Sequence, residues 1–133
     1  VQTCALPICL PADVISTGCA ISGLYDLEPV RQSTKNKILC ISEDDVRMYS
    51  PIHNVPSEAG ELLFIVGGNE TEEFLFQQLE INESWSAAGL KSFATVVPNR
   101  NHIDIVMDEF ADNGSKINRM IRNLMIKIGR AHV

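Results

Sequence analysis

The two residues best suited to chemistry are Glu70 and His102, because each follows an apolar stretch that predicts a β-strand. A carboxylate beside an imidazole holds one tautomer of the ring and stabilises the imidazolium that forms when the ring accepts a proton. Such a pair supplies a general base for a hydroxyl that attacks a carbonyl carbon. Two simpler interpretations stay open. Glu70, with Glu72 and Glu73, would stabilise the dipole of a helix start, and His102 would be an ordinary residue of a loop or helix N-terminus.

The predicted strands would bring this pair together. The stretch "LLFIVGG" (residues 62–68) is continuously apolar, which predicts a strand buried on both faces, as in a parallel sheet. "FATVV" (residues 93–97) predicts the next strand, and the intervening helix completes a βαβ unit with a right-handed crossover. Ligands bind at the carboxyl ends of parallel strands, so Glu70 and His102 should lie within reach of each other. An acid before a histidine, each after a strand, also ends the order Ser…Asp/Glu…His of α/β-hydrolases.

Helices are predicted around this unit from their caps and apolar stripes. The connecting helix should start after Thr71 and end at Gly89. Another should start near His102, and Ser115 should cap the last one. The predicted core positions are Phe74, Ile81, Trp85 and Ala88 in the first, Ile103, Val106 and Phe110 in the second, and Ile117, Ile121, Leu124 and Ile128 in the third, with Lys116, Arg119 and Arg122 in solvent.

The first part of the chain predicts one more strand and one short helix. "DVISTGCAIS" (residues 13–22) is rich in β-branched and small residues, and Cys19 within it is interpreted as a small core residue. Residues 43–49 predict a helix that Ser42 caps. The helix must stop before Pro51, because the residue before a proline avoids the α region.

Composition and charge exclude several classes of protein. The 133 residues suffice for one modest domain, and the absence of any run of eighteen apolar residues excludes a transmembrane helix. A net charge of −6 argues against a nucleic-acid partner. The four cysteines form no Cys-x-x-Cys pair and no two histidines have metal-ligand spacing, so no zinc site is predicted. We predict a small-molecule partner, no membrane contact and a reducing, cytoplasmic setting, and leave the oligomeric state open.

Both termini read as translated sequencing adapter. Residues 1–8 ("VQTCALPI") can be encoded by GTTCAGACGTGTGCTCTTCCGATC, and residues 128–133 ("IGRAHV") by ATCGGAAGAGCACACGTC. The reverse complement of the second string lies inside the first. We therefore expect residues 9–127 to be the C-terminal portion of one domain in a longer reading frame, and we exclude both ends from fold reasoning. A genomic read that encodes both termini in place would contradict this.

Four further segments occur in a specific order: "ISGLYDLEPV" (residues 21–30), "YSP" (49–51), "GGNETEEF" (67–74) with two glutamines shortly after it, and "NHIDIV" (101–106). Together they resemble the kynurenine formamidase (arylformamidase) branch of α/β-hydrolases. Two positions depart from that pattern, since Ile103 stands where an aromatic residue is usual and Glu72 where many relatives have proline. These departures leave the substrate specificity open. Tyr25 and Asp26, in the first segment, are interpreted as fixing a turn after the strand.

The resemblance implies the C-terminal part of an α/β-hydrolase fold, an incomplete parallel sheet with flanking helices. It also implies that Glu70 is the acid and His102 the general base of a Ser-His-Glu triad. The Gly-x-Ser-x-Gly elbow and the oxyanion-hole segment are absent from the sequence, and neither Ser16, Ser22, Ser50 nor Ser57 has the elbow pattern. A longer parent would hydrolyse a small aryl formamide or a carboxylic ester without a cofactor or metal, and the chain itself is expected to be inactive.

Two alternatives to the formamidase interpretation remain. The parent would be a general carboxylesterase of the same fold, with different acyl and leaving-group pockets. Alternatively, the chain would be a small non-catalytic α/β binding module with Glu70 and His102 at its surface. The module would need a start codon just before Leu10, and the strand at residues 62–66 speaks against it, because that strand needs cover on both faces.

Overall fold

The computed structural model describes residues 17–130, with side chains as far as Ile126. The expectations for residues 1–8, 13–16 and 131–133, and for the side chain of Ile128, lie outside them. The elements in chain order are β1 (Thr17–Ile21), α1 (Glu28–Gln32), α2 (Asn36–Leu39), α3 (Glu43–Tyr49), a 3-10 turn (Pro51–His53), β2 (Glu61–Gly67), α4 (Glu72–Ala87), β3 (Ser92–Val97), a π-helical turn (Ile105–Phe110) and α5 (Lys116–Arg130).

The three described strands form one parallel sheet in the order β1-β2-β3, with β2 in the centre. Successive side chains of a strand point to opposite faces, so β2 contributes to two separate apolar clusters. On one face, Leu63 and Ile65 pack against the π-helical turn and α5, through Ile105, Ile117, Ile121 and Leu124. On the other face, Phe64 packs against Ile81 of α4 and Tyr25, with Trp85 alongside. This confirms a parallel sheet with helices on both faces, as the continuous apolar run predicts.

Most of the predicted element boundaries are confirmed. Ser42 caps α3 through a reciprocal pair of bonds with Asp45. Gly89 follows α4 with a φ of +77°, a left-handed conformation that favours glycine. Ser115 Oγ accepts from the backbone N–H of Asn118 at 2.9 Å and so caps α5. Thr71 occupies the cap position of α4, but its side chain makes no capping bond.

The predicted core positions of the segment after His102 are wrong. Ile103 is 68% exposed, and Val106 and Phe110 are more than a third exposed, whereas Ile105 is fully buried. The cause is the wide i→i+5 winding, in which the N–H of Ala111 donates to the Val106 carbonyl. A pattern read at 3.6 residues per turn therefore assigns the wrong residue to the core.

Two smaller core assignments are also wrong. Cys19 is exposed, because β1 is an outer strand of the described sheet, and the cluster that includes α5 covers Ile21 but not Cys19. Ala88 is exposed because α4 ends just before it. Among the helices of residues 17–130, none combines the length and the apolar character needed to cross a lipid bilayer.

The isolated chain is expected to self-associate through β3, the outer strand that carries the exposed residues Phe93 (57%) and Val96 (49%). An exposed apolar strand edge is a template for pairing with another chain. The average molar mass that light scattering gives for the purified chain should rise with concentration. Phe93→Lys or Val96→Lys should reduce this rise. Phe76→Lys is the matched control, because Phe76 is equally exposed but lies on α4. A monodisperse monomer with a sharp cooperative melt at every concentration would contradict the expectation.

Candidate active site

The carboxyl ends of the three strands carry three polar side chains. Ser22 directly follows β1, Glu70 follows β2 and His102 follows β3. The ladder extends past the strand ends, because the N–H of Ser22 donates to the Ile65 carbonyl at 2.8 Å. Since parallel strands end at the same edge of a sheet, their side chains converge there. The structure thus brings together the two predicted residues and adds Ser22, which the sequence reasoning did not place there.

Glu70 has a buried carboxylate that is held by three donors. Its side chain is 1% exposed. Oε1 accepts from the backbone N–H of Gly67 at 2.8 Å and from Ser22 Oγ at 2.5 Å, and Oε2 lies 2.7 Å from His102 Nδ1. A buried carboxylate is costly unless it is hydrogen-bonded. These donors make an ionised Glu70 compatible with its burial.

His102 presents the opposite environment, because its side chain is 55% exposed. Nδ1 faces the Glu70 carboxylate, so in the neutral ring Nδ1 carries the proton and Nε2 keeps its lone pair. The ring of Phe74 packs beside the imidazole with centroids 5.0 Å apart. Within residues 17–130, Nε2 makes no hydrogen bond. The arrangement therefore leaves a basic nitrogen open while the carboxylate behind it is sealed from water.

Gly67 permits the loop after β3 to approach the loop after β2. A Cβ at this position would lie 2.2 Å from the Arg100 carbonyl oxygen and 3.2 Å from Glu70 Oε1. The same carbonyl accepts from the N–H of Asn69 at 2.9 Å, which joins the two loops. Glycine is therefore required here for close backbone approach.

Two further sets of interactions fix the loop that carries His102. Asn101 Oδ1 accepts from the backbone N–H of Ile103 at 2.8 Å and of Asp104 at 3.1 Å. The Arg100 guanidinium forms ion pairs with Asp108 and Glu109, both at 3.0 Å. The hydrogen bond from Arg100 to Glu109 raises the pKa of the guanidinium above its usual range. The imidazole is thus anchored from both sides of the loop.

The segment after β1 is bound to α4 by a buried glutamine. Gln77 is 1% exposed, and its Oε1 accepts from the backbone N–H groups of Tyr25 (2.8 Å) and Asp26 (3.0 Å). Its Nε2 donates to the Asp26 carbonyl at 3.1 Å and to Glu73 Oε1 at 2.6 Å. The interpretation that Tyr25 and Asp26 fix a turn agrees with this geometry. The glutamine itself was not predicted as part of that turn, because a polar residue in a helix reads as solvent-facing.

None of the candidate serines that the structure describes, Ser22, Ser50 and Ser57, has a hydrogen bond to His102. The hydroxyl of Ser22 is bound to Glu70, and Ser50 is fully buried, with its Oγ accepting from the Leu27 N–H at 3.0 Å. Ser57 lies in an exposed segment before β2, and Ser16 is outside the described residues. The described residues also contain no group of His, Cys, Asp and Glu side chains that could hold a metal ion. Among the described residues, the site accordingly comprises the hydrogen-bonded side chains of Ser22, Glu70 and His102.

Comparisons with known proteins show what this chain is similar to in sequence and in fold. No protein-family model matches the chain. Two kynurenine formamidases, from Salmo salar and Danio rerio, are 27% and 26% identical to it over 113 residues. The alignments cover 80% and 81% of this chain and 38% and 37% of the two relatives. The chain therefore spans less than two thirds of the length of these relatives.

Two solved structures with a similar arrangement of strands and helices are described as a thioesterase and an esterase. A protein described as a thioesterase from Silicibacter sp. TM1040 superposes on 77% of the chain with a TM-score of 0.67 and 23% identity, over 37% of its own length. Esterase 2 of Thermogutta terrifontis superposes on 86% of the chain with a TM-score of 0.61 and 13% identity, over 42% of its length. At these identities the likeness establishes the fold alone. The chain is therefore part of an α/β-hydrolase fold, and in sequence it is similar to kynurenine formamidases.

Proposed function

We propose that this chain is the C-terminal portion of a serine hydrolase, in which Glu70 and His102 are the acid and the base of a Ser-His-Glu triad. The observation that supports this most is the contact of 2.7 Å between a buried carboxylate and an open imidazole, at the ends of neighbouring parallel strands. In this proposal residues 9–127 belong to the hydrolase, and residues 1–8 and 128–133 are adapter-derived. The nucleophilic serine and the oxyanion-hole amides come from residues outside this chain.

The proposed reaction is acyl transfer in two steps. In the first, the serine oxygen bonds to the substrate carbonyl carbon while its proton moves to His102 Nε2. When the bond to the leaving group breaks, His102 returns the proton to the departing amine or alcohol. In the second step, water bonds to the acyl carbon and loses its proton to His102. The bond between that carbon and the serine oxygen then breaks, His102 protonates the serine oxygen, and the carboxylic acid leaves. Glu70 stabilises the imidazolium in both steps without itself accepting the proton.

The proposed substrate is a small aryl formamide or a carboxylic ester, and the proposed location is the cytoplasm. Similarity to two proteins named kynurenine formamidase supports the formamide, and similarity of fold to Esterase 2 supports the ester. The second candidate is accordingly a general carboxylesterase. To separate the two candidates, kcat/KM of the complete protein is measured for an aryl formamide and for an aryl ester of equal size. The ratio of the two values tells which substrate the protein prefers. The proposed chemistry uses no cofactor or metal.

The first test reads the source DNA across both ends of the chain in long reads. Continuation of the upstream frame into Gly-x-Ser-x-Gly would support the proposal and define the complete protein for expression. A start codon just before Leu10 with no such elbow would exclude catalysis by this triad. Glu70 and His102 would then belong to a binding module.

The 133-residue chain alone is expected to show no turnover of an aryl ester and no covalent labelling by a fluorophosphonate, because no serine of the described region is hydrogen-bonded to His102. The complete protein should be labelled once per active site. The control is the complete protein with its elbow serine replaced by alanine, which should lose the label. Burst kinetics from the isolated chain that vanish in His102→Ala would overturn the expectation.

A further inference from the structure

Ser22 stands in an unusual backbone conformation at the end of β1. Its φ is +50°, in the left-handed region that residues other than glycine, asparagine and aspartate rarely adopt. Such strained conformations persist where the surrounding structure fixes them, and they cluster at functional sites. Here the N–H of Ser22 donates to the Ile65 carbonyl, and the Gln77 amide holds Tyr25 three residues later. The conformation is thus imposed from both sides.

This conformation directs the hydroxyl of Ser22 to the buried oxygen of Glu70. The distance from Ser22 Oγ to Oε1 is 2.5 Å, and the hydroxyl donates because an ionised carboxylate has no proton to give. The only other donor to Oε1 among the described residues is the N–H of Gly67. Oε1 is therefore bound by one donor from the end of β1 and one from the end of β2.

Two donors are needed because the terminal torsion of a glutamate side chain is soft. Rotation about the bond to the carboxyl group has broad preferences, so the side chain's own rotamer does not define the plane of the carboxylate. One donor on Oε1 fixes a point, whereas two donors from different directions also fix the plane. With that plane fixed, Oε2 is aimed at His102 Nδ1.

We propose that Ser22 is a positioning residue, whose hydroxyl holds Oε1 of Glu70 so that Oε2 selects the Nδ1–H tautomer of His102. It acts through Glu70 and touches no reacting atom. For catalysis, the inference rests on the proposed function, because the orientation matters only if His102 is a base. The orientation itself is a property of this chain and can be measured without a substrate.

The test uses two substitutions that separate the hydroxyl from the backbone strain. Ser22→Gly removes the hydroxyl and relaxes the left-handed conformation, so the relief of strain offsets part of the cost of the lost hydrogen bond and its folding stability should exceed that of Ser22→Thr. Ser22→Thr keeps a hydroxyl but puts a β-branched residue at positive φ, so its stability should be lower. If Ser22 is a positioning residue, the tautomer of His102 should depend on whether the hydroxyl is present. If its role is only structural, the tautomer should instead change with folding stability.

The measurement is the nitrogen NMR spectrum of the His102 imidazole in the complete protein, recorded over a series of pH values and compared where the spectrum itself shows a neutral ring. The unsubstituted chain and Ser22→Thr should show the Nδ1–H tautomer. Ser22→Gly should move towards the Nε2–H tautomer that a free histidine side chain prefers, and Glu70→Gln should show the same change as a positive control. An Nδ1–H population in Ser22→Gly equal to that of the unsubstituted chain, while Glu70→Gln loses it, would overturn the proposal.

Kinetics of the complete protein extend the test and separate the two proposals. Ser22→Gly should lower kcat about 10- to 100-fold with little change in KM, as expected for a misplaced catalytic group. Ser22→Thr should stay within about 3-fold of the unsubstituted enzyme, since it keeps the donor. A complete protein that lacks hydrolase activity overturns the proposed function but leaves the tautomer measurement decisive. Normal kcat in Ser22→Gly overturns the positioning role and leaves the proposed function intact.

Discussion

If the complete protein is the proposed hydrolase, Glu70→Gln is expected to lower its kcat about 10,000-fold, the loss seen when the acid of a Ser-His-acid triad becomes an amide. Both carboxylate oxygens of Glu70 accept hydrogen bonds, one from Ser22 and Gly67 and the other from His102. An amide has a single acceptor oxygen. Whichever way the glutamine turns, a donor faces a donor, either at the buried pair or at the imidazole. The ring then loses the partner that selects its tautomer and stabilises its charged form.

The matched control for this prediction is Glu72→Gln. Glu72 lies in the first turn of α4, is exposed, and would stabilise the helix dipole in the same way as the simpler interpretation of Glu70. We expect kcat of Glu72→Gln within about twofold of the unsubstituted enzyme, because a dipole interaction at an exposed helix start contributes less than 1 kcal/mol. Equal, small effects of the two substitutions would mean that Glu70 is only a helix-start acid, and the triad proposal would fail.

The sequence pattern predicts those parts of this fold in which one physical rule dominates. The apolar run of β2 has no alternation, and only a strand covered on both faces can bury it, so the parallel sheet follows. Gly89 and Ser42 mark a helix end and a helix start, because their backbone and side-chain chemistry suits those positions. The burial of Ile105 was not predicted, because its π-helical turn has a different period from the 3.6 residues that the pattern assumes.

The candidate site could be predicted only in part, for a similar reason. That Glu70 and His102 would lie near each other follows from the shared edge of parallel strands. The contact between Ser22 and Glu70 depends on a left-handed φ and on a side-chain torsion, and hydrophobic periodicity predicts neither of them. One signal was nevertheless available, because Ser22 directly follows the first predicted strand and therefore ends at the same edge. Position at a strand end was as informative for this serine as for the acid and the histidine.

Gln77→Met is expected to lower the free energy of unfolding by about 3 kcal/mol, because each buried polar group left without a partner costs about 1–3 kcal/mol. Methionine has a similar length and no branch, so it fills the same space. It leaves the N–H groups of Tyr25 and Asp26, the Asp26 carbonyl and the Glu73 carboxylate without their shared partner. The loss falls on the segment that fixes the backbone of Ser22, so the Nδ1–H signature of His102 should weaken as well.

The neighbouring residue Gln78 provides a control of the same type and nearly the same burial. It is 5% exposed, its Nε2 donates to the Thr95 carbonyl at 3.2 Å, and its Oε1 has no hydrogen-bond partner in the described part of the chain. Gln78→Met removes one bond but also one unpaired buried oxygen, so its net effect should stay within about 1 kcal/mol. Urea unfolding of the complete protein carrying each substitution measures the difference. Equal shifts would show that the volume of the side chain, and not its hydrogen bonds, is what the fold requires at Gln77. A larger shift for Gln77→Met together with a weaker His102 signature would show that this buried amide connects the stability of the sheet edge to the geometry of the site.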